Sequence, residues 1–180
     1  AGWTARWIVE RAARQGRRPR VLDAGSGFGT YSMLYAAVGG EVIGAGGTGR
    51  RGGGAVVGST ATHLISQFKV DYAIIGASAI DEEGALLDFD YREVQAAQAI
   101  IANARSVMLV ADSTKLRRSA AVRIAHLSQI QTFVTDSPLP AGIASICSHR
   151  GIEVVVAMDK PVADIDEGAP EPAPPALRSV

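Results

Sequence analysis

With 180 residues, 47% of them hydrophobic, the chain is long enough for one domain of ordinary size with a core that sustains itself. Lysine plus arginine balances aspartate plus glutamate at 18 each, so no net field draws it toward nucleic acid or an anionic membrane. A single cysteine, Cys147, excludes an internal disulfide framework and a cysteine-rich zinc site and suits a reducing cytosol, and no stretch approaches the roughly 18 consecutive apolar residues of a membrane span.

Residues 3–15 carry apolar positions at helical spacing and stop at Gly16, which predicts an amphipathic surface helix made basic by Arg6, Arg11 and Arg14. The compact apolar region of a signal peptide is missing there, and Ala1 in place of an initiator methionine leaves room for a longer protein. Val21 and Leu22 read as a short strand, 24–29 as a glycine-punctuated loop, 31–38 as a helix and 41–45 as a second strand, together a βαβ unit. Ten of the twenty glycines fall between Gly39 and Gly58, a density that excludes regular structure across 46–54 and suits close backbone approach to a ligand.

Further on, 58–68 reads as a helix and 71–75 as a buried strand ending in the small-residue turn Gly76, Ala77, Ser78. Asp90 with Glu93 three residues later has the form of a capping box for a helix reaching about Asn103. A strand over 105–111 is closed by Asp112, and 132–134, 140–149 and 152–156 read as strand, helix and strand. Such alternation predicts an α/β fold of three layers, a mostly parallel sheet covered by helices on both faces. Cys147 is expected as a small core residue of the 140–149 helix. From Asp159 onward five of the eight prolines crowd with alanine and acid, which predicts a disordered tail over 159–180 and leaves 1–158 as a single α/β domain.

Open parallel sheets bind ligands beyond the carboxyl ends of their strands, which directs attention to 23–29, 46–54, 76–81 and 112–115. These loops offer backbone N–H groups, the hydroxyls of Ser26, Ser78 and Ser113, and cations from Arg50, Arg51 and Lys115, a set suited to a phosphorylated metabolite. Each has a plainer reading as well: the serines as turn formers, the arginines as solvated, Asp112 and Lys115 as a surface pair, Glu93 as a cap, Asp81 as turn chemistry ahead of Gly84. His63, His126 and His149 show no metal-ligand spacing and are expected on helix surfaces or in the core. The few, scattered aromatics offer no stacking platform for single-stranded nucleic acid.

Several ordered stretches carry a family resemblance: Ala-Gly-Gly at 45–47, Val-Val-Gly at 56–58, Phe-Lys-Val-Asp-Tyr-Ala-Ile-Ile-Gly-Ala-Ser-Ala-Ile-Asp at 68–81, Gly-Ala-Leu-Leu-Asp-Phe-Asp-Tyr-Arg-Glu-Val at 84–94, Val-Ala-Asp-Ser-Thr-Lys-Leu at 110–116 and Val-Thr-Asp at 134–136. Over about 46–156 the chain resembles the C-terminal effector-sensing domain of DeoR-family transcriptional repressors, closest in character to the glycerol-3-phosphate regulon type. The resemblance implies a fold like that of ribose-phosphate isomerases, used to sense phosphorylated sugars or polyols. It implies that Gly76, Ser78, Asp81, Glu93, Asp112 and Lys115 line the effector site, with Lys115 facing the phosphate.

The first 44 residues look different. Arg-Val-Leu-Asp-Ala-Gly-Ser-Gly-Phe-Gly-Thr at 20–30 resembles the first motif of S-adenosylmethionine-dependent methyltransferases, but the acid that such enzymes place after the second strand is replaced here by Gly44, Ala45 and Gly46. Asp23, Gly25 and Ser26 also satisfy part of the sensor family's own first loop, with Gly27 in place of a hydroxyl residue, and about one βα unit is missing between that loop and Ala-Gly-Gly. A chain that joins a methyltransferase-like start to a sensor-like remainder is the resulting expectation.

The sequence therefore predicts a cytoplasmic binding module rather than an enzyme, with no cofactor and no metal. Its effector site is expected to draw on Asp23, Gly25, Ser26, Gly27, Gly46, Gly47, Arg50, Gly76, Ser78, Asp81, Glu93, Asp112 and Lys115. The expected partners are a phosphorylated small molecule, DNA only through a separate helix-turn-helix domain not visible in these residues, no membrane, and, as the resemblance implies, further copies of the same chain. A methyltransferase fragment and a sugar-phosphate isomerase are the enzymatic alternatives.

Overall fold

A computed structural model describes residues 14, 16, 20–23, 41–44 and 59–157; the expected helices over 3–15 and 31–38, the glycine-rich loops 24–29 and 46–54, and the tail from 159 lie outside the described residues. Strands β1 (Arg20–Asp23) and β2 (Glu41–Gly44) pair in parallel, Arg20 opposite Glu41 and Asp23 opposite Gly44. That register is the outcome expected of a βαβ unit. β1 also lies beside β3 (Val70–Ile75).

Helix α1 (Ser59–Ser66) leads into β3, whose β-branched and aromatic residues pair in parallel with β6 (Ala104–Val110), and β8 (Thr132–Thr135) and β9 (Glu153–Val156) extend the sheet in the order β3-β6-β8-β9. All three pairings are parallel, so Ile75, Val110, Thr135 and Val156 end at the same edge. β8 is buried along its whole length, as a strand sandwiched between neighbours in a covered parallel sheet must be. The buried threonines Thr132 and Thr135 are tolerated there because no buried side-chain polar atom among the described residues lacks a partner.

A second, antiparallel sheet was not foreseen. It consists of β4 (Ala79–Ile80), β5 (Ala85–Asp88) and β7 (Val122–His126) in the order β4-β5-β7, with an irregularity between Leu86 and Leu87. β4 is only two residues long, too short for a period of two to stand out, and β5 lies between stretches that read as a turn and a helix cap. Its apolar residues Ile80, Leu86, Ile124 and Ala125 join Ala73, Leu109 and Phe133 of the parallel sheet in one core. Helix α2 (Tyr91–Ala102) bridges the two sheets, touching β3, β5, β6 and β7.

Helix α3 (Ala141–Arg150) starts after Pro140 and stops at Gly151, whose left-handed φ of 64° and amide bond to Ser148 O, together with the bond from Ile152 N to Cys147 O, close its last turn. Cys147, on its inner face, is buried as expected. Among the described residues no helix is long and apolar enough to cross a membrane.

Candidate functional site

The carboxyl edge of the parallel sheet is where the expected ligand-binding loops should meet. After β3 the chain turns through Gly76 and Ala77 to Ser78, and after β6 it enters a short 3-10 turn (Ser113–Arg117) that packs against β4. A Cβ on Gly76 would lie 3.9 Å from the carbonyl of Val110, the last residue of β6, so the two strand ends are neighbours. The turns carrying Ser78 and Lys115 therefore stand on the same side of the molecule, a consequence of β3 and β6 being adjacent parallel strands.

The turn after β6 is organised by carboxylates. Asp112 caps it, its Oδ1 accepting from Thr114 N at 3.0 Å and from the Thr114 hydroxyl, while its carbonyl accepts from Lys115 N at 3.0 Å. The Lys115 ammonium lies 4.0 Å from Asp112 Oδ2 and its side chain is about one quarter exposed. Asp136, the first residue beyond β8, reaches across to accept from Ser113 N at 2.7 Å and from the Ser113 hydroxyl at 3.3 Å. The amides of Ser113, Thr114 and Lys115 are all bonded within the protein, so this turn does not present the open N–H cradle expected of a helix start. The cations of the turn are Lys115 and Arg117. Both acids titrate below the ordinary carboxylate value: the Thr114 hydroxyl is the largest influence on Asp112, the Ser113 amide on Asp136.

Other expected residues are placed less directly. The Ser78 hydroxyl donates to Asp88 Oδ2 at 3.0 Å, leaving its oxygen lone pairs for a ligand donor. Asp81 Oδ1 accepts from Glu83 N at 3.1 Å and Ala85 N at 2.7 Å, so its carboxylate closes the β4–β5 hairpin as turn chemistry requires. Glu93 lies in the first turn of α2, but the expected capping box does not form. Asp90 caps alone, accepting from Arg92 N at 2.9 Å, and its own amide donates to Asp88 Oδ1 at 3.3 Å. The preceding Asp88 carboxylate takes the place that Glu93 was expected to fill. Asp23 ends β1, level with Gly44 of β2. Gly25, Ser26, Gly27, Gly46, Gly47, Arg50 and Arg51 lie outside the described residues.

His63 is exposed on α1 and His149 on α3, as expected of helix-surface histidines, whereas His126 is neither core nor helical. It ends β7, caps the following 3-10 turn (Leu127–Gln129) and places Nε2 2.9 Å from Glu83 O, tying the hairpin tip down. Among the described residues no group of histidine, cysteine, aspartate and glutamate is arranged to hold a metal. Asp88 and Asp136 are the residues sequence reasoning overlooked. Asp136 stands after its strand as Asp112 stands after β6, a positional signal that could have found it, whereas Asp88 ends β5, a strand the sequence did not reveal.

Residues 17–137, a range that takes in β1, β2 and the turn carrying Lys115, match the model of the DeoR C terminal sensor domain. The glycerol-3-phosphate regulon repressor of Escherichia coli (strain K12) is 40% identical over 114 residues, 63% of this chain and 45% of that protein. Its counterpart in Haemophilus influenzae is 40% identical over 120 residues, 67% of this chain and 46% of the relative. The HTH-type transcriptional repressor CsqR of E. coli is 35% identical over 116 residues, 64% of this chain and 44% of that protein. The aligned region thus spans less than half the length of these curated relatives, all of them transcriptional repressors by name. The match of the family's model to residues 17–137, about two thirds of the chain, shows that the chain belongs to the DeoR C-terminal sensor domain family.

Proposed function

We propose that this domain binds a phosphorylated three- to six-carbon metabolite reversibly at the carboxyl edge of its parallel sheet, as a sensor and not as an enzyme. The observation that carries the reading is the placement of Lys115 on a turn packed beside the Gly76–Ser78 corner, at the strand-end position where open α/β sheets take their ligands. Lys115 supplies the cation for the phosphate, and Ser78, Asp112 and Asp88 supply acceptors for hydroxyls on the carbon skeleton. Asp23, Gly25, Ser26, Gly27, Gly46, Gly47 and Arg50 complete the pocket in this reading, with Asp81 and Glu93 at its margin. The relatives' names make glycerol 3-phosphate the first ligand to try.

In a full-length regulator such binding would shift the populations of two states and so change the affinity of a separate helix-turn-helix domain for DNA. Cytoplasmic location, association with further copies and a single domain over 1–158 belong to the same reading. Thermal-shift measurements with glycerol 3-phosphate, several sugar phosphates and S-adenosylmethionine test it. A ligand at a hundred times its Kd stabilises the folded state by about 2.7 kcal/mol. Stabilisation by a polyol or sugar phosphate, lost in Lys115→Ala with the fold retained, is the expected result. Stabilisation by S-adenosylmethionine alone, or phosphate-ligand affinity unchanged in Lys115→Ala, would overturn it.

A further inference from the structure

The 3-10 turn that presents Lys115 has little apolar anchorage. None of its five residues is fully buried, and Leu116 alone packs against the core as a half-buried side chain. Asp112 ties the turn to itself, through Thr114 and the Lys115 amide. Asp136 ties it to a different strand, because its carboxylate grips both the amide and the hydroxyl of Ser113 from the end of β8, 23 residues away in sequence. The Thr135 hydroxyl, 3.3 Å from Asp136 Oδ1, and the Ser137 hydroxyl, 3.5 Å from it, orient the carboxylate from its own loop. Asp136 Oδ1 accepts from Ser113 N, the Thr135 hydroxyl and the Ser137 hydroxyl, and Oδ2 from the Ser113 hydroxyl, so the carboxylate is engaged with the two loops it joins.

We infer that Asp136 is a positioning residue for the effector site, fixing the Ser113–Arg117 turn so that Lys115 is held ready for the ligand. The inference rests on the reading of Lys115 as the cation for the effector's phosphate, and extends it to a residue acting through Lys115. A turn left loose must be ordered each time the ligand binds, and that cost subtracts from affinity. Asparagine at this position keeps an oxygen able to accept from Ser113 N, whereas alanine keeps none.

Calorimetric titration of the 180-residue chain with glycerol 3-phosphate, for the wild type, Asp136→Ala, Asp136→Asn, Lys115→Ala and the Asp136→Ala, Lys115→Ala double variant, tests this. The expected result is affinity weakened about tenfold in Asp136→Ala and within about threefold of wild type in Asp136→Asn, with the Asp136→Ala effect shrinking toward nothing once Lys115 is gone. A merely structural role would lower the melting temperature of Asp136→Ala without coupling its affinity to Lys115. Unchanged affinity in Asp136→Ala, an equal loss in Asp136→Asn, or a full loss that persists beside Lys115→Ala would each overturn the inference. Where Lys115→Ala binds too weakly to titrate, rescue by asparagine decides. Loss in Lys115→Ala with none in Asp136→Ala sinks the positioning role and leaves the effector reading standing. A wild-type chain that binds neither glycerol 3-phosphate nor any sugar phosphate removes both.

Discussion

Asp112 and Asp136 show how two exposed acids can organise a strand-end turn in which no residue is fully buried. Each accepts a backbone amide and a hydroxyl, and these bonds hold both carboxyls below their ordinary value. A group whose pKa is depressed on folding contributes stability that is complete above its unfolded value, near 3.8, and is lost as the pH falls through the lower folded value. Wild type should therefore melt above Asp112→Asn at neutral pH, and the gap should close as the solution is taken into the acid range below that value. Melting curves over a pH series check this; a gap independent of pH would show that the Asp112 charge contributes nothing to the turn. Cys147 is the opposite case, a buried thiol of α3 whose titration burial pushes upward.

At the scale of elements, the β4–β5 hairpin decides how the second sheet joins the first. Its turn requires Gly84, whose φ is +89° and whose missing Cβ would sit 3.2 Å from Leu127 Cδ1, 3.3 Å from His126 Nε2 and 3.4 Å from Ile146 Cδ1. An alanine meets a left-handed backbone and a filled space together, so Gly84→Ala should destabilise the protein by about 1–3 kcal/mol in urea unfolding. A cost near zero would mean that the hairpin relaxes away from α3. The sequence showed Asp81 ahead of Gly84 as turn chemistry but not the strands on either side, because β4 is two residues long and β5 lies between that turn and a helix cap. The capping box failed for a related reason. Three-residue spacing shows that Glu93 can return to Asp90, but Asp88, only two residues before it, already accepts from the Asp90 amide, a local competitor that the spacing rule does not weigh.

Among the described residues one core joins the four-stranded parallel sheet, the antiparallel sheet and the helices α2 and α3, and Phe133 in the buried strand β8 is its largest fully buried side chain. Truncating Phe133 to alanine should cost about 3–5 kcal/mol in chemical denaturation, against less than about 0.5 kcal/mol for Tyr91→Ala, whose ring is 62% exposed. Similar costs for the two would mean that β8 is not the centre of the fold. The order β3-β6-β8-β9 also explains why residues distant in sequence form one site. Parallel neighbours end at a common edge, so the loops after β3, β6 and β8 become adjacent.

The sequence alone determined the helices and the parallel-sheet strands between Gly58 and Val156 and the class of the fold, and it marked Lys115 as the candidate cation, because apolar periods, helix stops and acids after strands are local signals. Tertiary structure decided the antiparallel sheet and the reach of Asp136 to the amide and hydroxyl of Ser113. Those depend on which strands lie side by side, and pairing between distant segments is set by how apolar faces pack together, which no local window records.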